Sequence, residues 1–514
     1  MKKFLALSMA AISALSLVGC GGGNGGGNGG GNGGGNGGGN GGGNGGGNGG
    51  GETISYSDID TNVTATLKVS VTSFDSEENL INTVASKFQE TYPNVTVVVD
   101  RVSGELATTL MQYYQANQMP DIWAQTSFDM FSLSNKGIML DMDPYIAGAE
   151  AENIFDVDDY VPEFWKLGKI DFNTGDHYLI PRFADRVVAH YNKEYLTLAE
   201  NWAQSNSKTD GDFANAHVGD RYMGSYITDT SATVELTDKV VNGWDWQDMI
   251  YVCYWVKQYF ENNGKSGDYL IDANFDWEAV YNPIFEAFGV EYFDDNEEVA
   301  LQETQTKKAL DLMKYMYDKG YVAPVASANQ ASFATGKGFM QWHSQDFNLT
   351  YSAFDNMTKY DGVDLSTVVD VVSFPLVNVE GASPKIGAGV AGYSVYKNSP
   401  NAKLAMLFLM ELISEEGQTA LAQQGFNYPS IRVDMQTGTA PWAASFTQKG
   451  FNMEAYTYSQ QLSCATSYVT KIDATLASDI MDCVKMFIEN YVVNGSFADA
   501  KHEFLENYVY YRYL

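Results

Sequence analysis

The sequence predicts an α/β fold that is divided into two lobes. Segments with strand and helix patterns alternate through the folded part of the chain, which indicates a parallel sheet covered by helices. About 460 residues follow a low-complexity stretch near the N-terminus, and this length exceeds one ordinary hydrophobic core. Hydrophobic residues make up 45% of the chain and aromatic residues 13%, as expected of a globular protein.

The first twenty residues have the layout of an export signal. Lys2 and Lys3 precede a mostly apolar run, Phe4–Val18, which is too short to span a membrane. The run leads into Leu17-Val18-Gly19-Cys20, which resembles the lipobox of bacterial lipoproteins. That resemblance implies cleavage before Cys20 and attachment of a diacylglycerol to its thiol. The alternative is an ordinary secretory signal that contains a cysteine by chance.

A simple repeat follows the signal. Residues 21–51 contain only Gly and Asn, with an Asn at every fourth position from Asn24 to Asn48. No side chain in this stretch can bury apolar surface, so it cannot form a core. A Gly-rich coil of this length spans on the order of 30 Å. We therefore expect a flexible tether between a lipid anchor at Cys20 and the folded part.

The folded part begins with strands and helices in alternation. Thr66–Ser73 is β-branched and alternates in polarity, whereas Glu77–Tyr92 has apolar residues at helical spacing. Asn94–Val102 is a nearly continuous apolar run, which predicts a strand covered on both faces. A helix over Leu106–Asn117 and a strand from Pro120 to Ala124 complete a β-α-β-α-β order, which predicts a parallel sheet.

The same alternation continues towards the C-terminus. Four later segments have strand patterns: Asp176–Pro181, Val187–Asn192, Phe339–Trp342 within Ala331–Trp342, and Ile386–Lys397. Three have helix patterns: Trp246–Tyr259, Thr304–Gly320 and Asn401–Ile413.

The charge balance limits the class of partner. The chain has 31 Lys and Arg against 64 Asp and Glu, a net charge of −33. Nucleic acid carries the same sign of charge, so we expect no nucleic-acid partner. An anionic membrane surface is disfavoured for the same reason. A neutral or cationic small molecule is the favoured ligand.

Cysteine and histidine usage predicts no metal site and no cofactor. Cys253, Cys464 and Cys483 remain if Cys20 is lipidated, and no CxxC spacing occurs. We expect the three to be small buried side chains. The stretch Asp171–His177 resembles the start of a calcium-binding loop. The glutamate that such a loop has at its twelfth position is missing, because residue 182 is Arg, so we interpret the stretch as a turn.

Five quoted segments carry a resemblance to a known family. They are TLKVSVTSFDSEENLINTVASKFQETYPNVTVVVDRV, QANQMPDIWAQTS, GDHYLIPRFADRVVAHYNKEYL, ASFATGKGFMQW and GAGVAGYSVYKNSPNAKLAMLFLMELISEEGQTALAQ. In this order they resemble the extracellular solute-binding proteins of ABC importers, in the group that includes the maltose-binding proteins. Together they cover most of Thr66–Ser430.

The resemblance implies a two-lobed fold of the periplasmic-binding-protein type, type II, with a ligand cleft between the lobes and a hinge of crossing segments. It implies an N-terminal lobe of residues 52–184 and 386–430, and a C-terminal lobe of residues 185–385 and 431–514. The chain is expected to cross between lobes near Pro181–Asp185, near Ile386–Gly389 and after Ser430.

Two strand ends supply the first candidate ligand contacts, because ligands of open α/β sheets bind at the carboxyl ends of the strands. One group, after the first strand, is Ser73, Phe74 and Asp75. The other, after Pro120-Asp121, is Trp123, Gln125 and Ser127. Asp75 could instead cap a helix, and Trp123 could belong to the core.

Three charged residues interrupt an otherwise apolar strand, IPRFADRVVAHY. They are Arg182, Asp185 and Arg186. Buried charges are costly unless they are paired, so Asp185 beside an arginine predicts an ordered polar cluster at the cleft. By the family resemblance, Asp185 is placed where a carboxylate contacts sugar hydroxyls. The alternative is a structural salt bridge at the hinge.

Four further residues complete the predicted ligand site. Trp244 stands just before a helix, Trp342 and Asp346 follow a strand into a loop that faces the cleft in the family, and Tyr428 precedes Pro429 at a crossing. Flat aromatic rings and carboxylates are the groups that a sugar site needs. Trp277 is interpreted as a packing residue of a helix, and each of the other aromatic residues could also be core.

The sequence therefore predicts the carbohydrate-binding component of an ABC importer. It is expected to be a monomer, lipid-anchored at the outer face of the cytoplasmic membrane, which closes on a sugar and delivers it to a membrane permease. The same fold could bind a peptide, a polyamine or another small solute. A secreted glycan-degrading enzyme is the alternative of another class, but the chain has no GxSxG or HExxH signature and we assign no catalytic residue.

Overall fold

Two β-sheets with helices packed around them form the described part of the protein. The structure is a computed structural model, and it describes residues 53–71, 75–102, 104, 106–134, 136–170, 175–265, 270–273, 275, 277–322, 331–344, 346–465 and 476–513. Cys20, the tether, Ser73 and Phe74 lie outside the described residues.

The strands of the described residues fall into one sheet of six and one of four. Their bounds are β1 Ala65–Val71, β2 Val95–Arg101, β3 Ile122–Thr126, β4 Ile180–Arg186, β5 Val188–Asn192, β6 Ile271–Asp272, β7 Met340–His343, β8 Val369–Ser373, β9 Ile386–Val395 and β10 Ser463–Cys464. The six-stranded sheet, called the first sheet, has the order β10-β9-β3-β1-β2, with β4 also paired to β9. The second sheet has the order β6-β7-β5-β8.

Helices of very different length connect these strands, alongside several short 3-10 turns. Their bounds are α1 Asp75–Thr91, α2 Leu106–Gln115, α3 Ser127–Ser134, α4 Asp143–Ala151, α5 Pro162–Trp165, α6 Lys193–Ser205, α7 Asp210–Ala216, α8 Trp246–Asn262, α9 Glu278–Ala287, α10 Glu303–Asp318, α11 Ala331–Ala334, α12 Phe347–Asp355, α13 Ala402–Ile413, α14 Glu415–Gln423, α15 Ala444–Thr447, α16 Ala477–Asn494 and α17 Phe497–Tyr513. None of the helices in the described ranges combines the length and the apolar composition that crossing a bilayer requires.

The predicted β-α-β-α-β opening is confirmed. Strand β1 pairs in parallel with β2 and with β3. Helix α1 buries Leu80, Ile81, Val84 and Phe88, the four apolar residues at helical spacing. The sheet also contains β9, which runs antiparallel to both β3 and β4.

The prediction that Asn94–Val102 is covered on both faces is wrong. In the described part of the chain, strand β2 lies at the edge of the first sheet and pairs with β1 alone. Val98 is 45% exposed, and Thr96 is exposed as well. A continuous run of β-branched residues can also occur in an edge strand. Such residues favour an extended backbone whether or not their side chains are buried.

The chain passes from one sheet to the other within a single residue. Strand β4 ends at Arg186 in the first sheet, and β5 begins at Val188 in the second. It returns between β8 and β9, and it leaves again after Arg432, which still pairs with Tyr160. The short β10 then comes back to pair with β9. The lobe boundaries given above remain a prediction.

Candidate functional site

Asp185 lies at the point where the two sheets meet. It is the penultimate residue of β4 and pairs in register with Gly389 of β9. Ser127, the first residue of α3, follows directly from the carboxyl end of β3, which pairs with the other side of β9. The sheet therefore brings two predicted site residues, Ser127 and Asp185, to either side of Gly389.

Among the described residues, Gly389 has open space above it. A Cβ atom placed on this glycine would meet one atom of those residues within 4 Å, Ser127 Oγ at 4.0 Å. The neighbouring glycines of β9 differ, because a Cβ on Gly387 or on Gly392 would collide with the main-chain oxygen of Ala279 or of Ile180. Gly387 and Gly392 thus permit close packing, whereas Gly389 is the floor of a recess.

The second sheet contributes to the same recess through Ser344, which follows β7. Its hydroxyl donates a hydrogen bond to the Asp185 carboxylate, whose Oδ1 is buried and has no hydrogen-bond partner. The pKa of Asp185 is raised to about 7, chiefly by burial; the Ser344 hydroxyl opposes this rise, and the carboxylates of Glu278 and Asp346 add to it. Asp185 itself remains partly exposed. A carboxylate in such a position can accept a hydrogen bond from a ligand.

Asp346 also stabilises the start of a helix. It is the N-cap of α12 and accepts a hydrogen bond from the Leu349 N–H at 3.1 Å. The N–H groups of Asn348 and Asn427 also donate to it, which ties the segment before Tyr428 to the second sheet. Burial nevertheless raises the pKa of Asp346 to about 6. The prediction that Asp346 lies in a loop beside the cleft agrees with this position, although most of its acceptor capacity is used internally.

Two aromatic pairs flank these carboxylates. The ring of Tyr428 stacks on Phe183 with centroids 4.4 Å apart and planes 7° apart. The ring of Trp277 lies 5.3 Å from that of His343, with planes 34° apart. Tyr428, Trp277 and His343 are half-buried, so each keeps some surface available. We name the whole set the crossing site: Ser127, Phe183, Asp185, Trp277, Glu278, His343, Ser344, Asp346, Gly389 and Tyr428.

The predicted polar cluster of Asp185 with an arginine is wrong. Arg182 forms a buried ion pair with Glu77 of α1 and donates to the Tyr393 hydroxyl at 3.0 Å. Arg186 is 1% exposed, and its guanidinium donates to the carbonyl oxygens of Tyr456, Tyr458 and Ser459. Successive side chains of a strand point to opposite faces, so Arg186 turns away from its neighbour Asp185. Both arginines hold other parts of the chain in place.

The expectation that Trp123 and Gln125 are exposed in a cleft is also wrong. Strand β3 lies inside the first sheet between β1 and β9, and Trp123 is fully buried there. The Trp123 Nε1–H donates to Gln125 Oε1 at 3.0 Å, and the Gln125 amide donates to the Ser394 hydroxyl. Their polar groups are satisfied within the core.

Trp244 and Trp342 are core residues and not exposed platforms. Trp244 is 2% exposed, and its Nε1–H donates to the Ser373 carbonyl at 2.7 Å. Trp342 lies within β7 instead of following it, is 2% exposed, and packs against Trp246 and Phe374. Large aromatic side chains bury well when an N–H partner is at hand.

The first predicted group is represented only by Asp75 in the described residues. Asp75 is the first residue of α1, and its side chain is 85% exposed. One carboxylate oxygen lies 2.7 Å from Arg101 Nη2. The predicted contacts of Ser73 and Phe74 lie outside the described residues and stay predictions.

Sequence reasoning missed Trp277 and His343 as members of the site. His343 ends strand β7 and Trp277 is the N-cap of α9, so both stand where one element ends or another begins. The rule used for Ser127 would also have selected His343, and the rule used for Trp244, a tryptophan just before a helix, would have selected Trp277. Gly389 enters the sequence prediction only as the end of the crossing segment Ile386–Gly389.

Acidic side chains also gather away from the crossing site. Asp141, Asp143 and Asp176 offer oxygen atoms within 4.8 Å of one another. Asp143 accepts a hydrogen bond from the buried His177 ring at 2.5 Å. Calcium takes six to eight oxygen ligands, and we assign no metal to this cluster.

The cysteines behave largely as predicted. Cys253 and Cys483 are fully buried and Cys464 is half-buried, all with free thiols. Burial raises the pKa of each thiol, so none is activated as a nucleophile.

Two sheets joined by crossing strands, with a polar and aromatic recess at the crossing, define a two-lobed binding protein. Residues 83–448 match the family of bacterial extracellular solute-binding proteins, and the chain belongs to this family. The family is one of binding proteins, which argues against the enzyme alternative. Comparison with curated proteins gives no match.

Solved structures of sugar-binding proteins share the fold. The protein is similar to the sugar-binding protein MalE of Xanthomonas citri, with a TM-score of 0.61 and 17% identity over 85% of this chain and 95% of that one. It is similar to the cyclic alpha-maltosyl-1,6-maltose binding protein of Arthrobacter globiformis, with a TM-score of 0.61 and 14% identity over 87% and 98%. The GacH receptor of Streptomyces glaucescens, solved with acarbose, gives 0.57 and 17% over 87% and 98%. The predicted two-lobed α/β fold is thereby confirmed.

Proposed function

We propose that this extracellular solute-binding protein captures a carbohydrate at the crossing site and delivers it to the permease of an ABC importer. The observation that carries the proposal is the recess over Gly389, bordered by the Ser127 hydroxyl and the Asp185 carboxylate. Sugar hydroxyls bond to such groups, and the apolar face of a sugar ring packs on aromatic rings. Tyr428 and Trp277 supply half-buried rings next to the carboxylates.

The similar structures support a carbohydrate over other solutes. Of the proteins compared above, one is described as sugar-binding, one as binding cyclic alpha-maltosyl-1,6-maltose, and one was solved with acarbose. A peptide or a polyamine remains the alternative ligand. A monomer with two lobes that close over the ligand accounts for the crossing strands, since hinge closure is a common response to binding.

Attachment to the membrane follows from the N-terminus. We propose that Cys20 is lipidated and that residues 21–51 tether the binding domains to the outer face of the cytoplasmic membrane, near the permease. Two acyl chains give durable anchoring, whereas the strongly acidic body would not itself adhere to an anionic surface. A Cys20→Ala variant should appear in the culture medium, and wild-type protein should partition with membranes. Equal partitioning of both would contradict the anchor.

Thermal unfolding of residues 52–514 tests the ligand class. The panel contains mono- and oligosaccharides, amino acids, peptides and polyamines. A ligand present at one hundred times its dissociation constant raises the unfolding free energy by about 2.7 kcal/mol. We expect stabilisation by one class of saccharide. Stabilisation only by peptides or polyamines, or by nothing in the panel, would contradict the proposed function.

Substitution of Gly389 tests the location of the site. In Gly389→Val the added methyl groups would occupy the recess, so we expect at least a hundredfold loss of saccharide affinity with an unchanged melting temperature in the absence of ligand. Gly389→Ala is the matched control, because its Cβ would make a single contact at 4.0 Å. It should bind within a few fold of wild type. Wild-type affinity in Gly389→Val would place the ligand elsewhere.

A further inference from the structure

Among the described residues, the charged groups that act on Asp185 are carboxylates, whereas the Arg182 guanidinium acts on Tyr428 of the same site. The carboxylates of Glu278 and Asp346 act on Asp185 through space, and the remaining interaction of Asp185 is the hydrogen bond from Ser344. Glu278 begins α9, so it comes from a different element than Asp185 on β4 or Asp346 before α12. Carboxylates from three elements thus lie within electrostatic range of one another, and of these the Asp346 carboxylate is already held by main-chain N–H groups.

The cations nearest in sequence are committed elsewhere. The Arg182 guanidinium is held by Glu77 and Tyr393, and it lies over the rings of Phe183 and Phe426. The Arg186 guanidinium is held by main-chain carbonyl oxygens. Within the described ranges, no ion pair joins a lysine or arginine to Asp185 or Asp346. The other groups facing Asp185 are uncharged or aromatic: Ser344, Tyr428 and Tyr456.

The hydrogen-bonding capacity of the recess is weighted towards acceptors. Asp185 Oδ1 is buried and unpartnered, and the Ser344 hydroxyl is already used on the same carboxylate. A buried acceptor without a donor costs free energy. A charged N–H donor satisfies a carboxylate better than a neutral hydroxyl does, since charge-assisted hydrogen bonds are roughly twice as strong.

We propose that the ligand carries a protonated amino group, as an amino sugar does, and that this ammonium lies over Gly389 between Ser127 and Asp185. This inference rests on the proposed function, because it takes the crossing site as the carbohydrate site. Like charges in a partly desolvated place raise the cost of ionising Asp185. An ammonium removes that cost, whereas a neutral sugar does not and an anionic sugar adds to it.

Three ligands that differ only at C2 test the inference. They are glucosamine, N-acetylglucosamine and glucose, each as the free sugar and as the β-1,4-linked dimer, within a set that includes neutral maltooligosaccharides. Titration calorimetry of residues 52–514 at pH 7 measures each dissociation constant. We expect the free amine to bind at least tenfold more tightly than its acetylated and hydroxyl counterparts, since acetylation removes the charge and the hydroxyl never carried it.

Asp185→Asn isolates the carboxylate in question. This variant keeps the shape of the side chain and removes its charge, so the preference for the amine should fall to less than threefold. Asp355→Asn is the matched control, an exposed carboxylate at the end of α12. It should keep the full preference, and melting curves of both variants verify that they are folded.

The outcomes separate the two proposals. Saccharide binding without a preference for the amine, or a preference that survives Asp185→Asn, overturns the inference and leaves the carbohydrate function standing. Binding of simple polyamines without any saccharide contradicts the proposed function, and the inference of an amino sugar falls with it. The same holds if nothing in the set binds.

Discussion

Trp244 and Trp342 stand near the ends of strands or helices in the sequence, as Trp277 and Tyr428 of the crossing site do. In the fold, however, the two pairs have different environments. Trp244 and Trp342 are 2% exposed, and each Nε1–H has an acceptor inside the protein. Trp277 and Tyr428 are half-buried and stand next to the carboxylates of the crossing site. The first pair stabilises the lobe, and the second pair is available to a ligand.

The difference teaches that a tryptophan beside a strand or helix end is not by itself a ligand platform. Trp342 belongs to a strand that is covered on both faces, and it meets Trp246, Phe275 and Phe374 there. Trp277 is the N-cap of a helix and is half-buried, with its ring next to that of His343 at the end of β7. The position of the element relative to the crossing decides the role.

The largest expected effect is the loss of stability when one of the two core tryptophans is truncated. Trp342→Ala removes a fully packed ring, and such truncations cost about 3–5 kcal/mol of unfolding free energy. Urea unfolding measures the loss. If the variant lost saccharide affinity while its stability fell by less than about 1 kcal/mol, Trp342 would be a ligand residue after all.

Truncation at the crossing site should show the opposite balance. Trp277→Ala removes a half-buried ring, so we expect a stability loss of roughly 1–2 kcal/mol and a fall in saccharide affinity of about tenfold, the scale of one stacking contact. Calorimetry and urea unfolding of the same preparations measure the two quantities. Unchanged affinity would remove Trp277 from the site.

The raised pKa of Asp185 sets a smaller, pH-dependent effect. Its folded-state pKa is about 7, above the value of about 3.9 in the unfolded chain. The folded protein therefore binds more protons between these values, and the unfolding free energy falls as pH rises from about 4 to 7. Asp185→Asn removes this ionisation, so its stability relative to wild type should increase from about pH 4 to about pH 8, by less than the full pKa difference implies because Asp185 is partly exposed.

Other buried groups also shape the wild-type pH profile, among them His343, whose pKa burial lowers to about 4, so the difference between variant and wild type is the quantity to measure. Asp346, with a pKa of about 6, adds a slope of the same sign. Burial lowers the pKa of His190 to about 3. The unfolded chain therefore binds more protons at this residue below about pH 6.5, and the unfolding free energy rises with pH there. A stability difference that does not grow between pH 4 and 7 would contradict the assignment of Asp185.

Asp75 should show the smallest effect. Both side chains of its ion pair with Arg101 are exposed to solvent. Exposed ion pairs contribute about 0.2–1 kcal/mol to the free energy of unfolding. Asp75→Asn should therefore change stability by less than about 1 kcal/mol and leave saccharide affinity unaltered. A tenfold loss of affinity would return Asp75 to the ligand site.

The order of strands and helices was predictable because local pattern determines it. Leu80, Ile81, Val84 and Phe88 fall on one helical face and are buried as that spacing requires. The crossing after β4 was placed within a few residues from the family resemblance. The edge position of β2 was not predictable, because which strand becomes an edge depends on pairing between distant segments.

The site was predictable only in part, for a related reason. Ser127 was predicted because it follows the carboxyl end of a strand, and Asp185 because a charge interrupts an apolar strand; that either contacts a ligand stays a prediction. The partners of Arg182 and Arg186 were not, since Glu77 and Tyr458 lie more than a hundred residues from the arginines they hold. Whether a ring faces the core or the recess is likewise decided by elements that meet only in the folded chain.

A crystal structure of residues 52–514 with the first saccharide that stabilises the protein tests the central claim most directly. The account predicts a sugar ring above Gly389, with a polar group within hydrogen-bond distance of Asp185 and the ring in contact with Trp277 or Tyr428. A saccharide bound with Gly389 and Asp185 untouched would contradict it.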